Sequence, residues 1–561
     1  MVKKFRYPQK IEFFRKNTLQ KGEEFNKESY DKSEESNQDS ISKQEHNVKQ
    51  DKKWIEKDLL TNIIRIKQTL GKSVDVKYRE IVIILNDKKV NAFICFIDGM
   101  ASEPYINLHI VKSLMESDFN AEIYLSEASD EDFLTIVKKR ILSSSSLKEE
   151  RELDAVSTSI QMGETLILID GYETALLVST QGFSSRNVGE PDTESNVRGP
   201  REGFNEVLKV NTSLIRRKIN NPNLIFEGMQ IGKETKTNIR IGYIEGIANP
   251  KVVDEVKKRL KQIDTDAILE SGYIEQFIED HPFSIFPTVA NSEKPDKVAG
   301  KILEGRVAIF CDGTPFVLTV PHVFVETLQV GEDYYSRPYL STFIRLLRFL
   351  SLFLTIATPG LYIAITTYHH EMVPTQLLVS MAAAEEKVPF PIFLEAMLMA
   401  LVFEILREGG VRMPRPVGGA ISIVGALVIG EAAVQAGFVS TPMVIVIAIT
   451  GICGFVVTAL NDANILSRFL IMLLAGALGL YGVLMGFLIL LGHMCSLRSF
   501  GTPYLSPQAP IIWSEWKDSI IRMPLFFQKS RPQSIMWQQS KKQSLKNKPT
   551  KPNKPEGEEQ N

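Results

Sequence analysis

Cysteine is scarce in this chain of 561 residues, four in all. Cys95, Cys311, Cys453 and Cys495 lie far apart, with no CxxC and no Cys/His ligand spacing. That pattern excludes a disulfide framework and a thiolate metal site, and the thiols read as reduced and mostly buried. No nucleophile–base pair or metal cluster stands out, so neither an enzyme nor a bound cofactor is expected. Met1–Arg6 is basic but no apolar run follows it, so no secretory signal is expected. The N-terminal part is therefore expected on the cytoplasmic side. The net charge of −2 shows no basic excess, and no nucleic-acid partner is expected.

Charge itself is missing over long stretches. Phe349–Thr367 carries none in 19 residues and Phe469–Leu491 none in 23. A helix needs about 20 apolar residues to cross a bilayer, and buried soluble helices rarely reach that length. The whole-chain mean hydropathy of −0.04 conceals this, because polar ends dilute an apolar middle. The expected architecture is an α/β soluble N-terminal domain of two subdomains followed by an α-helical transmembrane domain.

Residues 1–53 hold almost no aliphatic side chains after Phe25 and are expected to be a disordered polar extension. From 54 to 182 and from 203 to 336 the pattern alternates between helix and strand. Each stretch carries a strand, an Asp-Gly pair and a second strand: Thr165–Ile169 with Asp170-Gly171, and Arg306–Cys311 with Asp312-Gly313. The pair suits a two-residue hairpin turn, because glycine accepts positive φ. The recurrence is either a duplication or the ordinary frequency of such hairpins. Asn249 and Pro250 mark a helix start as N-cap and first helical residue.

Between the two units, 183–202 reads as a linker by composition. Its charges Arg186, Glu190, Glu194, Arg198, Arg201 and Glu202 also suit an ion-pair network joining subdomains or subunits. No GxxxxGK[ST] or GxGxxG loop occurs there.

The transmembrane domain is expected over 337–500. Arg337, Arg345 and Arg348 precede the first span and suit snorkelling, and Pro359-Gly360 inside it suggests a kink. Glu395 and Glu404 fall on opposite faces of the second span, so at least one must meet protein or water. Arg407, Arg412 and Arg415 place the following loop on the cytoplasmic side. In the third span, Val417–Phe438, Gly418, Ser422, Ala426 and Gly430 form a small-residue ridge for close helix packing. Ile421, Val424, Val428, Glu431 and Gln435 gather on roughly the opposite face. That face either lines a pore in an oligomer, or Glu431 is hydrogen-bonded within a static bundle. The last apolar block is studded with Gly476, Gly479, Gly482 and Gly486. Residues Lys529–Lys554 carry eight Lys or Arg and no acid, so an even number of crossings is expected. Four crossings with embedded pieces and six both satisfy that count. The tail 501–561 is expected to be basic, cytoplasmic and largely disordered.

Several long motifs occur in a fixed order: RGPREGFNE from Arg198, PDKVAGKILEGRVAIFCDGTPFVLTVPHVF from Pro295, EDYYSRP from Glu332, and REGGVRMPRPVGGAISIVGALVIGEAAVQAG from Arg407. With these the chain resembles the A subunits of GerA-type spore germinant receptors over about 55–505. The resemblance implies an inner spore-membrane protein whose N-terminal domain faces the core. It also implies a germinant-binding, transporter-like B subunit and a lipoprotein C subunit as partners, and a pentameric homo-oligomer forming an ion channel. A related A-like protein outside the receptor operons, which amplifies germination, is the alternative within the family. A secondary transporter is the alternative outside it, opposed by the lack of an inverted repeat of spans.

Overall fold

The computed structural model describes residues 54–85, 88–115, 133–138, 146–182, 189–191, 194, 198–412, 428–535 and 541–543. Two five-stranded antiparallel sheets build the N-terminal half. The first unit runs α1 (Leu59–Leu70), β1 (Val76–Leu85), β2 (Lys88–Ile97), β3 (Leu147–Glu150), α2 (Leu153–Gln161), β4 (Glu164–Ile169) and β5 (Ala175–Ser179). The second runs α3 (Leu208–Lys218), β6 (Leu224–Ile231), β7 (Thr237–Ile244), α4 (Pro250–Gln262), α5 (Ser271–Ile278), β8 (Ala290–Ser292), α6 (Pro295–Leu303), β9 (Val307–Cys311) and β10 (Val317–Val320). Strand order is β1-β2-β4-β5-β3 in one and β6-β7-β9-β10-β8 in the other, the same path drawn twice.

Both faces of each sheet are covered, as the strands require. In β2, Phe93, Cys95 and Ile97 pack under α1 and α2, while Ala92 and Ile94 pack against the helical stretch 106–114 on the other face. The second sheet repeats this layering, with α3 and α6 on one face and α4 and α5 on the other. Each fully buried aliphatic or aromatic side chain contributes roughly 1.5–3 kcal/mol, so these four layers hold the head together.

The repetition extends to single hydrogen bonds. Asn62 Nδ2 donates to the Glu56 carbonyl and its Oδ1 accepts from the Glu56 amide at 3.0 Å. Asn211 does the same to Asn205. Each Asp-Gly pair reaches the start of its unit's first helix. Asp170 Oδ1 accepts from Leu59 N at 3.3 Å and Asp312 Oδ1 from Leu208 N at 3.1 Å. Gly171 N donates to Lys57 O and Gly313 N to Glu206 O, and both glycines need positive φ, +86° and +88°. The connections 170–174 and 312–316 are thus five-residue loops clamped to a helix, not the two-residue turns expected from the pair. A shared geometry that depends on paired residues at matching places argues for internal duplication. The Asn249 cap is present, its side chain accepting from Lys251 N, with Pro250 opening α4.

The main helices of the apolar half are α7 (Pro338–Tyr368), α8 (Ile392–Arg412), α9 (Thr441–Val456) and α10 (Asn461–Ser496). At 31 residues α7 is about 46 Å long, more than a bilayer core needs. It continues through Pro359, and Gly360 lets Ile471 approach to where a Cβ would sit 2.6 Å from its Cγ2. α10 is two arms, not one rod. Gly479 (φ 61°, ψ −141°) breaks it, and a Cβ on Gly486 would meet Ile471 at 2.9 Å. Residues 15 apart touch only if the chain doubles back. The glycine line therefore makes a hairpin, whose tip lies beside Tyr368, with Tyr368 Oη donating to Gly476 O at 2.7 Å. Glu395 and Glu404 each find a partner inside. Glu395 accepts from Ser440 N at 2.6 Å, and Glu404 pairs with Arg407 at 2.9 Å and with Arg468.

The expectation of a largely disordered tail from 501 does not hold for 501–535. Tyr504 is completely buried, Arg498–Ser499 pairs with Thr502–Pro503, and Ser519 and Arg522 are buried. Leu505 and Ile535 supply further apolar anchors.

Candidate functional site

Where the two halves meet, polar chemistry is concentrated. A short helical turn, Glu332–Tyr335, places Asp333 beneath the first turns of α7. Arg345 and Arg348 lie on one helix face, three residues apart, and both donate to Asp333 Oδ2, at 3.1 and 2.8 Å. Arg345 is fully buried and also donates to the carbonyls of Asp518 (2.8 Å) and Ser519 (3.1 Å). It does not snorkel as expected, because the tail segment closes over it and supplies acceptors that water would otherwise provide. Tyr334 Oη donates to Asp518 Oδ2 at 3.1 Å. Burial pushes the Asp518 carboxyl up to about 6 against the opposing charge of Arg345.

A second buried cluster sits on the head side of this collar. Glu326 accepts from Arg306 Nε at 3.1 Å and pairs with Lys301 at 3.2 Å and His322 Nδ1 at 3.4 Å. Burial alone would raise the Glu326 carboxyl, but the Arg306 and Lys301 charges hold it well below its usual range. Burial pulls Lys301 down to about 8 and lowers His322. The strand that leaves α10 is bonded directly to this cluster. Ser499 Oγ accepts from His322 N at 2.9 Å and donates to Thr288 O at 2.6 Å, and Tyr504 O accepts from Phe324 N at 2.8 Å. Phe500 and Gly501, at φ 46° and 84°, form the tight turn, and the Phe500 ring lies 4.3 Å from the Arg259 guanidinium. Any displacement of the second arm of α10 is thereby imposed on the head.

A cavity of about 490 Å³ lies between this cluster and the turn 458–463 that joins α9 to α10, lined by Glu275, Glu279, His322 and Asp462 among others. Burial and the neighbouring Glu279 push Glu275 up to about 7. A carboxyl raised on folding binds more protons in the folded chain than in the unfolded one between about pH 4.5 and 7, so it costs stability as pH rises through that window. Glu275→Gln is expected to stabilise the chain at pH 8 by on the order of 1–2 kcal/mol, allowing for contact with cavity water, and to leave it unchanged at pH 4. Thermal unfolding of the two proteins at both pH values measures this, and an equal shift at both would refute the assignment.

The residues singled out from the sequence fall into two groups. Glu194 accepts from Glu293 N at 3.1 Å and pairs with Lys297 at 2.5 Å, fixing part of 183–202 to the second unit. Burial opposes ionisation of Glu194, but the Lys297 charge and the bonds from Lys297 and Ser292 keep its carboxyl below the usual range. Glu190 pairs with Arg201 at 3.3 Å in solvent, and Glu202 with Arg217 at 3.2 Å on α3. Arg198 is exposed and Arg186 lies outside the described residues. The two units are joined by other residues, Lys209 with Asp98 and Lys72 with Glu245 among them. Arg216, buried at the end of α3, donates to Asp75 from Nε at 2.9 Å and to Ser73 Oγ at 2.8 Å. The sequence offered no sign of it, since Arg216-Arg217-Lys218 reads as a solvated basic helix end.

Of the third span, Gly418, Ile421, Ser422, Val424 and Ala426 lie outside the described residues. Val428 opens a π-turn, Val428–Ala432, followed by a short helical turn, Ala433–Gln435. Glu431 and Gln435 are exposed side by side, Gln435 Nε2 donating to Glu431 Oε1 at 3.3 Å. A Cβ on Gly430 would meet nothing within 4 Å, so the described part of this chain packs no helix there.

A duplicated α/β head, bonded through a buried ionic collar to an apolar helical domain, defines a membrane protein with a large extramembrane domain. Comparison with known proteins gives the family. Residues 64–534 match the Bacillus/Clostridium GerA spore germination protein family. The chain is 46% identical over 483 residues to spore germination protein KA of Bacillus subtilis (strain 168), covering 86% of this chain and 87% of that protein. It is 39% identical to spore germination protein B1 of the same organism, covering 85% and 97%. It is 43% identical to the uncharacterized membrane protein YfkQ, covering 78% and 84%. Among solved structures, the N-terminal domain of the A subunit of the Bacillus megaterium spore germinant receptor GerK3 aligns with a TM-score of 0.38 and 36% identity, over 48% of this chain and 97% of that one. The chain belongs to the GerA spore germination family.

Proposed function

We propose that this protein is the A subunit of a nutrient germinant receptor in the spore inner membrane, and that copies of it surround a cation path gated when germinant binds. The observation that carries this reading is the Glu431–Gln435 pair. It is a polar, hydrogen-bonded couple on an otherwise apolar segment, and no described part of its own chain covers it. Such groups are expensive against lipid, and neighbouring copies around water supply what they need. The pore face is then Ile421, Val424, Val428, Glu431 and Gln435, with the ridge Gly418, Ser422, Ala426 and Gly430 packed on a neighbour.

The path of the helices supports six crossings. With α7, α8, the span 417–438, α9 and the two arms of α10, the tail returns to the side of the head, facing the spore core. The proposed division is a polar extension to 53, two α/β units at 54–182 and 203–336, and a membrane domain at 337–500. Partners in the complex are a transporter-like B subunit that binds germinant and a lipoprotein C subunit. The bonds from Ser499 and Tyr504 to the head transmit its movement to the last membrane arm.

Purified protein in a planar bilayer tests the reading. Discrete unitary cation currents are expected, and saturable substrate exchange without them would mean a transporter. Val424→Ala and Val428→Ala are expected to widen the constriction and raise spontaneous leak several-fold, roughly what removing about 1 kcal/mol of barrier gives. Unchanged leak in both variants would refute the pore face. The second reading is an A-like protein acting outside the receptor complexes. Co-purification with B and C subunits decides between the two.

A further inference from the structure

The segment that follows α10 is built inside out. In 510–528 the polar side chains Ser519, Arg522 and Gln528 are buried, whereas Ile521, Met523, Leu525 and Phe527, at alternate positions, are exposed. Trp513 is 71% exposed and stacks near Trp516, their ring centres 4.9 Å apart. In water the opposite arrangement is favoured, and a contiguous exposed apolar patch marks a surface meant for another phase or partner.

The inward face is polar because it completes the ionic collar. Arg522 N donates to Thr342 Oγ1 at 3.2 Å and its guanidinium to Tyr334 O at 3.2 Å, and Asp518 serves Arg345. Those bonds hold the strip against the first turns of α7. Its apolar outer face therefore continues an exposed stripe on that helix, Phe343, Leu346, Leu350 and Phe353, which runs up into the apolar span. The acids of the strip are turned inward, Asp518 to Arg345 and Glu515 to Gln533 N at 2.6 Å. Lys517 and Lys529 remain exposed on either side of the apolar run.

We propose that 510–527 is an interfacial anchor lying in the headgroup layer of the bilayer. Its aliphatic side chains dip into the upper acyl region, Trp513 sits at the boundary, and the two lysines contact anionic headgroups. Indole rings favour that boundary, and basic residues near it gain about 1 kcal/mol each from anionic lipid. Continuity with the α7 stripe and the cationic rim select lipid over a second copy of the chain. The proposal rests on the reading of α7 as a membrane-crossing helix.

The test uses the full chain in vesicles of phosphatidylcholine and phosphatidylglycerol. Replacing Trp54, Trp516 and Trp537 by Phe leaves Trp513 as the single indole. Lipids brominated near the headgroup are expected to cut its emission about twofold, and lipids brominated near the chain end to cut it less. Should the triple replacement not fold, the difference between the unaltered chain and Trp513→Phe reads the same quantity. Emission untouched by either lipid overturns the anchor. A depth control, Phe353→Trp in a chain lacking the four native indoles, separates the two readings. If it is quenched by the deep bromines while Trp513 is not, the anchor falls and the crossing stands. If neither is quenched, both fall. A Trp513 shielded from bromine and from aqueous iodide alike means that another protein surface covers the strip, which also overturns the anchor.

Discussion

Replacing Arg345 by alanine is expected to destabilise the chain by about 3–5 kcal/mol, the range for removing one partner of a buried ion pair. The side chain is fully buried and serves Asp333, the Asp518 and Ser519 carbonyls, and the Asp518 carboxylate at 3.2 Å. Its loss leaves the Asp518 carboxylate without its cation and two carbonyls without their donor at the base of α7, while Asp333 keeps Arg348. Arg345→Lys should recover little, because a single ammonium cannot reach acceptors that the guanidinium fork serves in several directions. Arg337→Ala, at an exposed position one residue before α7, should stay within about 0.5 kcal/mol. The pH dependence carries a sign. Asp518 already titrates near 6 through burial, so without Arg345 it takes up a proton more readily still. The cost of Arg345→Ala should therefore be largest at pH 8 and shrink toward pH 5, where a neutral Asp518 needs no counter-charge. Thermal unfolding in detergent at the two pH values measures it. A penalty as small as that of Arg337→Ala would show that the collar contributes nothing to the joint. In combination with Asp333→Asn, the two losses should add to less than their sum.

Features encoded by short-range chemistry were legible in the sequence. Asn249 and Pro250 announce α4 because a cap and a fixed φ are local demands. The Asp-Gly pairs announce turns because positive φ is a local demand as well, although what they clamp is not local. Neither Asp170 nor Asp312 betrays that its carboxylate reaches back more than a hundred residues to a helix start. The same holds for Arg216 with Asp75 and for Arg345 with Asp518, where composition points to the surface and tertiary pairing overrides it. Residues 501–535 misled for a related reason. Their apolar side chains alternate as in a half-buried strand, but the strip faces outward and the polar side chains between them are the buried ones.

Replacing Gly479 by valine is expected to abolish the native arrangement of the last two membrane arms. At φ 61° and ψ −141° the backbone occupies a region open essentially to glycine alone, and a β-branched residue there adds several kcal/mol of strain. Space is wanting too, since a Cβ would lie 3.0 Å from atoms of both Tyr368 and His369. The alternative open to the variant is a continuous helix over 461–496. Such a rod would be about 54 Å long and would carry the exposed Cys495 away from the head and to the far side of the bilayer. A membrane-impermeant thiol reagent distinguishes the two states. In oriented vesicles of the unaltered chain, Cys495 should be labelled from the side on which the head is digested by protease. In Gly479→Val it should be labelled from the opposite side or be lost with the degraded protein. Gly479→Ala, with a smaller clash and the same forbidden φ, should fall between them. Labelling of Cys495 from the head side in all three, at equal yield, would mean that the reversal does not depend on this glycine. The proposed even number of crossings would then need another turn, and the bonds from Ser499 and Tyr504 to the head would no longer follow from the hairpin's return.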